Sequence, residues 1–162
     1  MSPASSPTSP SVRTTADAAL GVVRAVLETA ASPERVWRAL TDPRELEAWW
    51  GSSEMYQTYD WQTDLRPGGE RSCKARAPGH QEISVVKGEY LAVDPPRLLE
   101  FTWRPSWDGY VETRVRIELD PVPGGTRVTV VHTGFADAAK SVESHRDGWE
   151  RVLGWAGAFL AR

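Results

Sequence analysis

The stretch from Ser32 to Gly51, SPERVWRALTDPRELEAWWG, decides how the rest of the chain is read. Ser32 carries the side-chain oxygen an N-cap needs, and Pro33 suits the first helical position, where no backbone N–H is required. Val36, Trp37 and Leu40 then form an apolar stripe. Pro43 disfavours helical geometry at Asp42, so this helix ends near Thr41. Asp42 caps a second helix, with Pro43 at its first position and Glu45 placed to complete a capping box. Leu46, Trp49 and Trp50 supply the apolar side, and Gly51 ends it. Helices this short are not stable alone, so both must rest on a larger body.

On the N-terminal side, Val22 to Ala30 reads as a strand, with Val23, Ala25 and Leu27 on its inner face and Arg24 and Glu28 on the other. Residues 1–20 are expected to be a disordered Ser/Pro-rich tail: the chain opens MSPASSPTSPS, which offers no apolar face and no secretory h-region. Residues 21–162 are then one domain. On the C-terminal side, six further strands follow with tight turns between them: Tyr56–Asp64, Glu70–Ala77, Gln81–Val93, Arg97–Arg104, Tyr110–Leu119 and Thr126–Gly134. The clearest alternation sets Val111, Thr113, Val115, Ile117 and Leu119 against Glu112, Arg114, Arg116 and Glu118. Asp137 to Leu160 reads as one long helix through Val142, Trp149, Val152, Leu153, Ala156 and Leu160. Gly148, Gly154 and Gly157 inside it point to close approach of another backbone. The fold class is therefore α+β: a curved antiparallel sheet of about seven strands around a long C-terminal helix, with two short helices at one end.

The sequence has 162 residues, a net charge of −3, one cysteine and eight Trp against three Phe. The acidic balance removes the simplest argument for a nucleic-acid partner. Cys73 alone excludes an internal disulfide framework and a Cys-rich zinc site, and fits a reducing, cytoplasmic setting. No apolar run reaches the ~20 residues of a membrane span. So many Trp in a small domain point to an aromatic-rich core or an aromatic-walled cavity.

The element order, together with SPERVWRALTDPRELEAWWG, LRPGGE, GEYLAVDPPRLLEFTW, PGGTRVTVVHTGF and HRDGW, resembles the helix-grip (START/Bet v 1-like) proteins of the SRPBCC superfamily. Within it the chain is similar, from about Val22 to Leu160, to the branch named for the C-terminal domain of the activator of the heat-shock-protein-90 ATPase. The resemblance implies an internal cavity for an apolar or amphipathic small molecule. It implies little about activity, because the superfamily includes carriers, receptors, aromatases and cyclases. The branch name is not read as function.

Parity names the residues expected to face that cavity. Leu99, Phe101 and Trp103 share one face of their strand, opposite Glu100 and Arg104; Val128, Val130 and His132 share another, opposite Arg127. Tyr59 and Trp61 share a face, with Asp60 on the other. Trp49 and Trp50 lie about 100° apart on a helix, so one is expected inside and the other beside the entrance. On the long helix His145 and Leu153 border the sheet-facing stripe, and Trp149 is central to it, with packing as its plainest role. His132, His145 and Arg146 are the candidate acid/base groups, the plainer role of His132 being a satisfied core histidine. His80, the remaining histidine, falls in a turn, so no metal site is expected and no cofactor is called for. Cys73 is expected to be buried and inert.

Three functions are compatible with this pattern. The first is a binding or carrier domain without chemistry. The second is a cyclase, dehydratase or hydrolase on an aromatic or polyketide-like substrate, with the balance leaning against an enzyme. The third is a chaperone-regulating or stress-response interaction module, which requires an exposed apolar patch. Free edge strands leave a homodimer open.

Overall fold

The computed structural model describes residues 11–135 and 138–162. In chain order the elements are β1 (Ser11–Asp17), β2 (Val22–Thr29), α1 (Pro33–Thr41), α2 (Pro43–Trp49), β3 (Gly51–Ser52), β4 (Tyr56–Thr63), β5 (Glu70–Arg76) and β6 (Ser84–Asp94). β7 (Leu98–Pro105), a 3-10 turn at Ser106–Asp108, β8 (Thr113–Val122), β9 (Gly125–Thr133) and α3 (Ala138–Leu160) complete them. Among the described residues the nine strands form one sheet ordered β1-β2-β9-β8-β7-β6-β5-β4-β3. Every neighbouring pair is antiparallel.

Nine strands replace the expected seven, and the two additional ones lie at the two edges. β3 has two residues, too few to show a period. β1 corrects the expectation of a tail across 1–20: Ser11 to Asp17 pair continuously with β2, from Ser11↔Glu28 to Asp17↔Val22. An edge strand exposes most of its surface, so polar composition does not forbid it. Val12 and Ala16 are its hydrophobic residues that pack against the core. The connecting turn has Gly21 at φ 64 and the Asp17 carboxylate accepting the Leu20 N–H at 3.1 Å. Residues 1–10 of that expectation lie outside the described residues.

The two short helices start as their caps dictate. Ser32 Oγ accepts the Arg35 N–H at 3.2 Å, and Asp42 Oδ1 accepts the Arg44 N–H at 2.8 Å. Glu45 does not close a capping box. Its carboxylate is taken by Arg35 at 2.5 Å and Arg38 at 2.8 Å, which ties α2 to α1. The inner face of the sheet is apolar as alternation requires: Val23, Ala25, Val115, Ile117, Leu119, Val128 and Val130 are all buried. The outer face carries ion pairs such as Arg116–Glu100 at 3.0 Å.

Two local features shape the space beneath the sheet. First, Asp60 sits in left-handed backbone geometry, φ 53, at a register shift between Tyr59 and Gln62. A bulge adds a residue and reverses the alternation beyond it. Tyr59 therefore pairs with Lys74 on the outer side, while Trp61 is buried. The expectation that Tyr59 and Trp61 share a face is overturned. Second, α3 packs chiefly on β1 and β2. α2 packs on β4, and the inner faces of β5 to β7 are left without a helix directly over them. A Cβ at Gly148 or Gly154 would meet nothing within 4 Å, so close backbone packing does not account for these two glycines.

Candidate functional site

The uncovered part of the sheet and the facing side of α3 enclose a cavity of about 470 Å³. Trp50, Trp103 and Trp149 form its aromatic wall, and Thr58, Cys73 and Val86 lie on the sheet side. Ser144, His145 and Gly148 line it from α3. Met55, Trp107, His80, Arg76 and Arg151 are exposed residues that also border it, which marks the mouth.

The wall is organised by Trp50. Its ring lies 5.2 Å from Trp49, 5.5 Å from Trp61, 6.1 Å from Trp103 and 6.0 Å from Trp149. Neither Trp49 nor Trp50 flanks the entrance; both are buried. The reason is that α2 ends at Trp49, and Trp50 has left helical geometry (φ −84, ψ 92), so the angular separation of a helix does not apply. Trp50 reaches the cavity. Trp49 lies behind it, its indole N–H donating to the Ala39 carbonyl at 2.8 Å. The Trp61 indole donates to Thr58 Oγ1 at 2.9 Å, and that hydroxyl donates to the Trp50 carbonyl at 2.5 Å.

His132 is wholly buried and has both ring nitrogens engaged. The Trp149 indole N–H donates to Nδ1 at 3.0 Å, so Nδ1 carries no proton. In the neutral ring Nε2 then donates to Thr113 Oγ1 at 2.6 Å, and the Thr113 hydroxyl donates to the Trp103 carbonyl at 3.3 Å. The relay fastens α3 to β7, β8 and β9 beneath the aromatic wall. His132 is not among the residues bordering the cavity. It has the satisfied core role, and no lone pair is left for a substrate.

His145 does border the cavity, and its ring centre is 5.0 Å from that of His132. Its Nδ1–H donates to the Ser141 carbonyl at 2.7 Å. Nε2 is therefore the lone-pair nitrogen of the neutral ring, and it bonds to none of the described residues. Burial pushes His145 below the ordinary histidine value, against the Ser141 carbonyl and Asp108, which favour the proton. Burial, with His145 alongside, holds His132 well below it. Both groups refuse in the fold a proton that the unfolded chain accepts. Their stabilisation is present above the unfolded value of about 6.5 and declines as pH falls below it. Each adds up to ~1.4 kcal/mol per pH unit to the slope. Urea midpoints at pH 7 and pH 5.5 are expected to show this loss. Equal midpoints would show that neither ring resists protonation in the fold.

The remaining candidates separate cleanly. Leu99, Phe101, Val130 and Leu153 are buried core residues outside the cavity lining, and Trp61 lies one layer behind Trp50. Arg146 is half-buried, ion-paired to Glu143 at 3.4 Å and to Asp147 at 3.8 Å, and does not border the cavity. Burial pushes the Cys73 thiol up to about 11, so it is a thiol and not a thiolate at neutral pH. Among the described residues no cluster of three or more His, Cys, Asp or Glu is placed to hold a metal. No helix among them is long and apolar enough to cross a membrane. The cavity residues not singled out from sequence are mostly small or come from turns: Met55, Ala75, Ser84, Gly148. The small inward positions of β5 were a visible signal of space, whereas Gly148 reads in sequence as close backbone approach and only the structure shows it open.

Residues 30–155 match the family described as Activator of Hsp90 ATPase homolog 1-like protein. Protein CV1439 from Chromobacterium violaceum superposes with a TM-score of 0.78 at 27% identity, over 87% of this chain and 98% of its own. Protein Ms6760 from Mycobacterium smegmatis gives 0.76 at 25% identity, over 91% and 93%. The AHSA1-like protein from Aeromonas hydrophila, 20% identical, shares the fold with a TM-score of 0.74 over 86% and 92%. None of the curated proteins matches. The family match begins just after β2 and runs through both short helices and every strand that walls the cavity, into α3, and the chain belongs to the family of Activator of Hsp90 ATPase homolog 1-like proteins, with the helix-grip fold.

Proposed function

We propose that the chain is a binding or carrier domain for an apolar or amphipathic small molecule held between α3 and β4–β7. The observation that carries this reading is the cavity of about 470 Å³ walled by Trp50, Trp103 and Trp149. Its size falls in the range of small-molecule sites, roughly 300–1,000 Å³, and its walls combine aromatic surface with a few polar groups, the usual composition of such sites. Exposed Trp107, 59% accessible, borders the same mouth. Its exposure therefore supports an entrance at least as well as a protein-docking patch. Native mass spectrometry of freshly purified protein, with the released small-molecule fraction analysed alongside, tests the reading. A co-purifying apolar compound is the expected result. A clean apo mass, together with failure of added aromatic compounds to bind, would sink it.

One observation favours an enzymatic reading in second place: the unengaged Nε2 of neutral His145 in the cavity lining. Such a nitrogen is a general base in reach of a bound molecule. The same spectra separate the two readings, because a carrier returns the compound with its mass unchanged after incubation.

A further inference from the structure

Among the described residues, Arg71 is the one Arg, Lys, Asp or Glu that is buried. It points inward from β5 and is only 3% exposed, yet no Asp or Glu among the described residues forms an ion pair with it. Its guanidinium carbon lies 4.0 Å from the centre of the Phe101 ring, 5.0 Å from Trp61 and 5.6 Å from Trp50. Aromatic faces attract a cation, but they accept no conventional hydrogen bond. Arg71 Nε is left without a hydrogen-bond partner, and so is the nearby Tyr90 hydroxyl. Burial raises the Tyr90 phenol, and the Arg71 charge acts in the opposite direction, so the two groups feel each other. The phenol oxygen is a neutral acceptor beside the guanidinium, but no group of opposite charge faces Arg71 among the described residues.

The position relates this pair to the cavity. Cys73 and Val86 form a cross-strand pair on the cavity floor, and the pair one pleat repeat further in is Arg71 and Gly88. Arg71 and Tyr90 do not themselves border the cavity; Trp50 is the link, since it lines the cavity on one side and faces the guanidinium on the other. Gly88 is obligatory, since a Cβ there would lie 2.1 Å from the Thr102 carbonyl oxygen.

We propose that Arg71 and Tyr90 form an internal carboxylate subsite, so that the cavity takes a mono-anionic amphipathic carboxylic acid. Its apolar body lies against the tryptophans and its carboxylate reaches Arg71 past the Trp50 ring. A planar guanidinium fork matches a carboxylate, and one cation with one phenol balances one negative charge. The exposed Arg76 and Arg151 at the mouth sit in water, where a charge discriminates weakly. This inference rests on the cavity being a small-molecule site.

Calorimetric titration of the full chain with 2-naphthoate and with its uncharged analogue 2-naphthamide tests it. The acid is expected to bind at least about 10-fold more tightly than the amide. In Arg71→Met that preference is expected to fall to within about 3-fold, with amide affinity unchanged, whereas Arg76→Met and Arg151→Met retain it. Equal affinities in the unmodified protein overturn the subsite and leave the cavity reading standing. Acid preference that survives Arg71→Met, or that vanishes in a mouth variant, also overturns it. Should Arg71→Met not fold, Arg71→Lys is the substitute: it keeps the charge without the fork and is expected to lose most of the preference. Binding of neither compound overturns the cavity reading and the subsite together.

Discussion

Gly148→Leu is expected to abolish ligand uptake while leaving the domain at least as stable as before. Gly148 lies within α3 and borders the cavity, and a Cβ built on it meets nothing within 4 Å. The added side chain therefore projects into free space rather than into a neighbour. Glycine is also a poor helix residue, disfavoured by about 1 kcal/mol against the best formers, and leucine recovers most of that. A branched four-carbon group in a cavity of about 470 Å³ removes volume directly in front of the tryptophan wall. Loss of about 100-fold or more in affinity for a co-purified or added aromatic ligand is expected, equivalent to ~2.7 kcal/mol. The check is a titration paired with a thermal melt. Unchanged affinity with an unchanged or raised melting temperature would place binding elsewhere. Gly154→Ala, outside the cavity lining and equally free of contacts, serves as the control that gains helix stability alone.

Trp50→Ala is expected to cause the largest loss of stability of any single truncation in the wall. Its ring contacts Trp49, Trp61, Trp103 and Trp149, and it is 6% exposed. Removing a buried aromatic ring costs about 3–5 kcal/mol in transfer and cavity terms. Here the void opens into an existing cavity, so the neighbouring rings have little to collapse onto. At roughly 2–4 °C per kcal/mol for a chain of this size, the melting temperature is expected to fall by about 6–20 °C. Trp107→Ala, at the exposed mouth, is expected to stay within about 0.5 kcal/mol. Differential scanning calorimetry of the three proteins decides it: similar losses in both variants would mean that Trp50 does not hold the cluster together.

Much of the fold was legible because its signals are local. The caps at Ser32 and Asp42, the Pro43 break, and the alternation through Val115, Ile117 and Leu119 depend on neighbours in sequence, and each reappears in the structure. Inward placement of His132 followed from parity for the same reason. The misses have a common cause. Parity fails at a bulge, and the left-handed Asp60 that turned Tyr59 away from the interior is one of few non-glycine residues in that geometry. Helical angles fail where a helix stops, which is why Trp50 turned inward to line the cavity with Trp49 packed behind it. Composition failed at β1, because an edge strand is held by backbone pairing that Ser and Thr supply as well as Val.

By itself the sequence determined the α+β order, the starts of the two short helices, the apolar face of each regular strand and the aromatic character of the interior. These depend on spacing and on backbone preference over a few residues. Only the tertiary structure decided which inward residues face empty space and which face one another. α3 settles over β1 and β2 and leaves β5 to β7 open, so Trp50, Trp103 and His145 border the cavity while Phe101 and Val130 are sealed in core. Similarly, Arg71 reads in sequence as one more charged residue of an alternating strand. Its burial among three aromatic rings without a counter-charge exists only because β4, β7 and the end of α2 converge on it. Packing between segments distant in sequence has no local period, and for that reason the site, unlike the fold, could not be read from the chain alone.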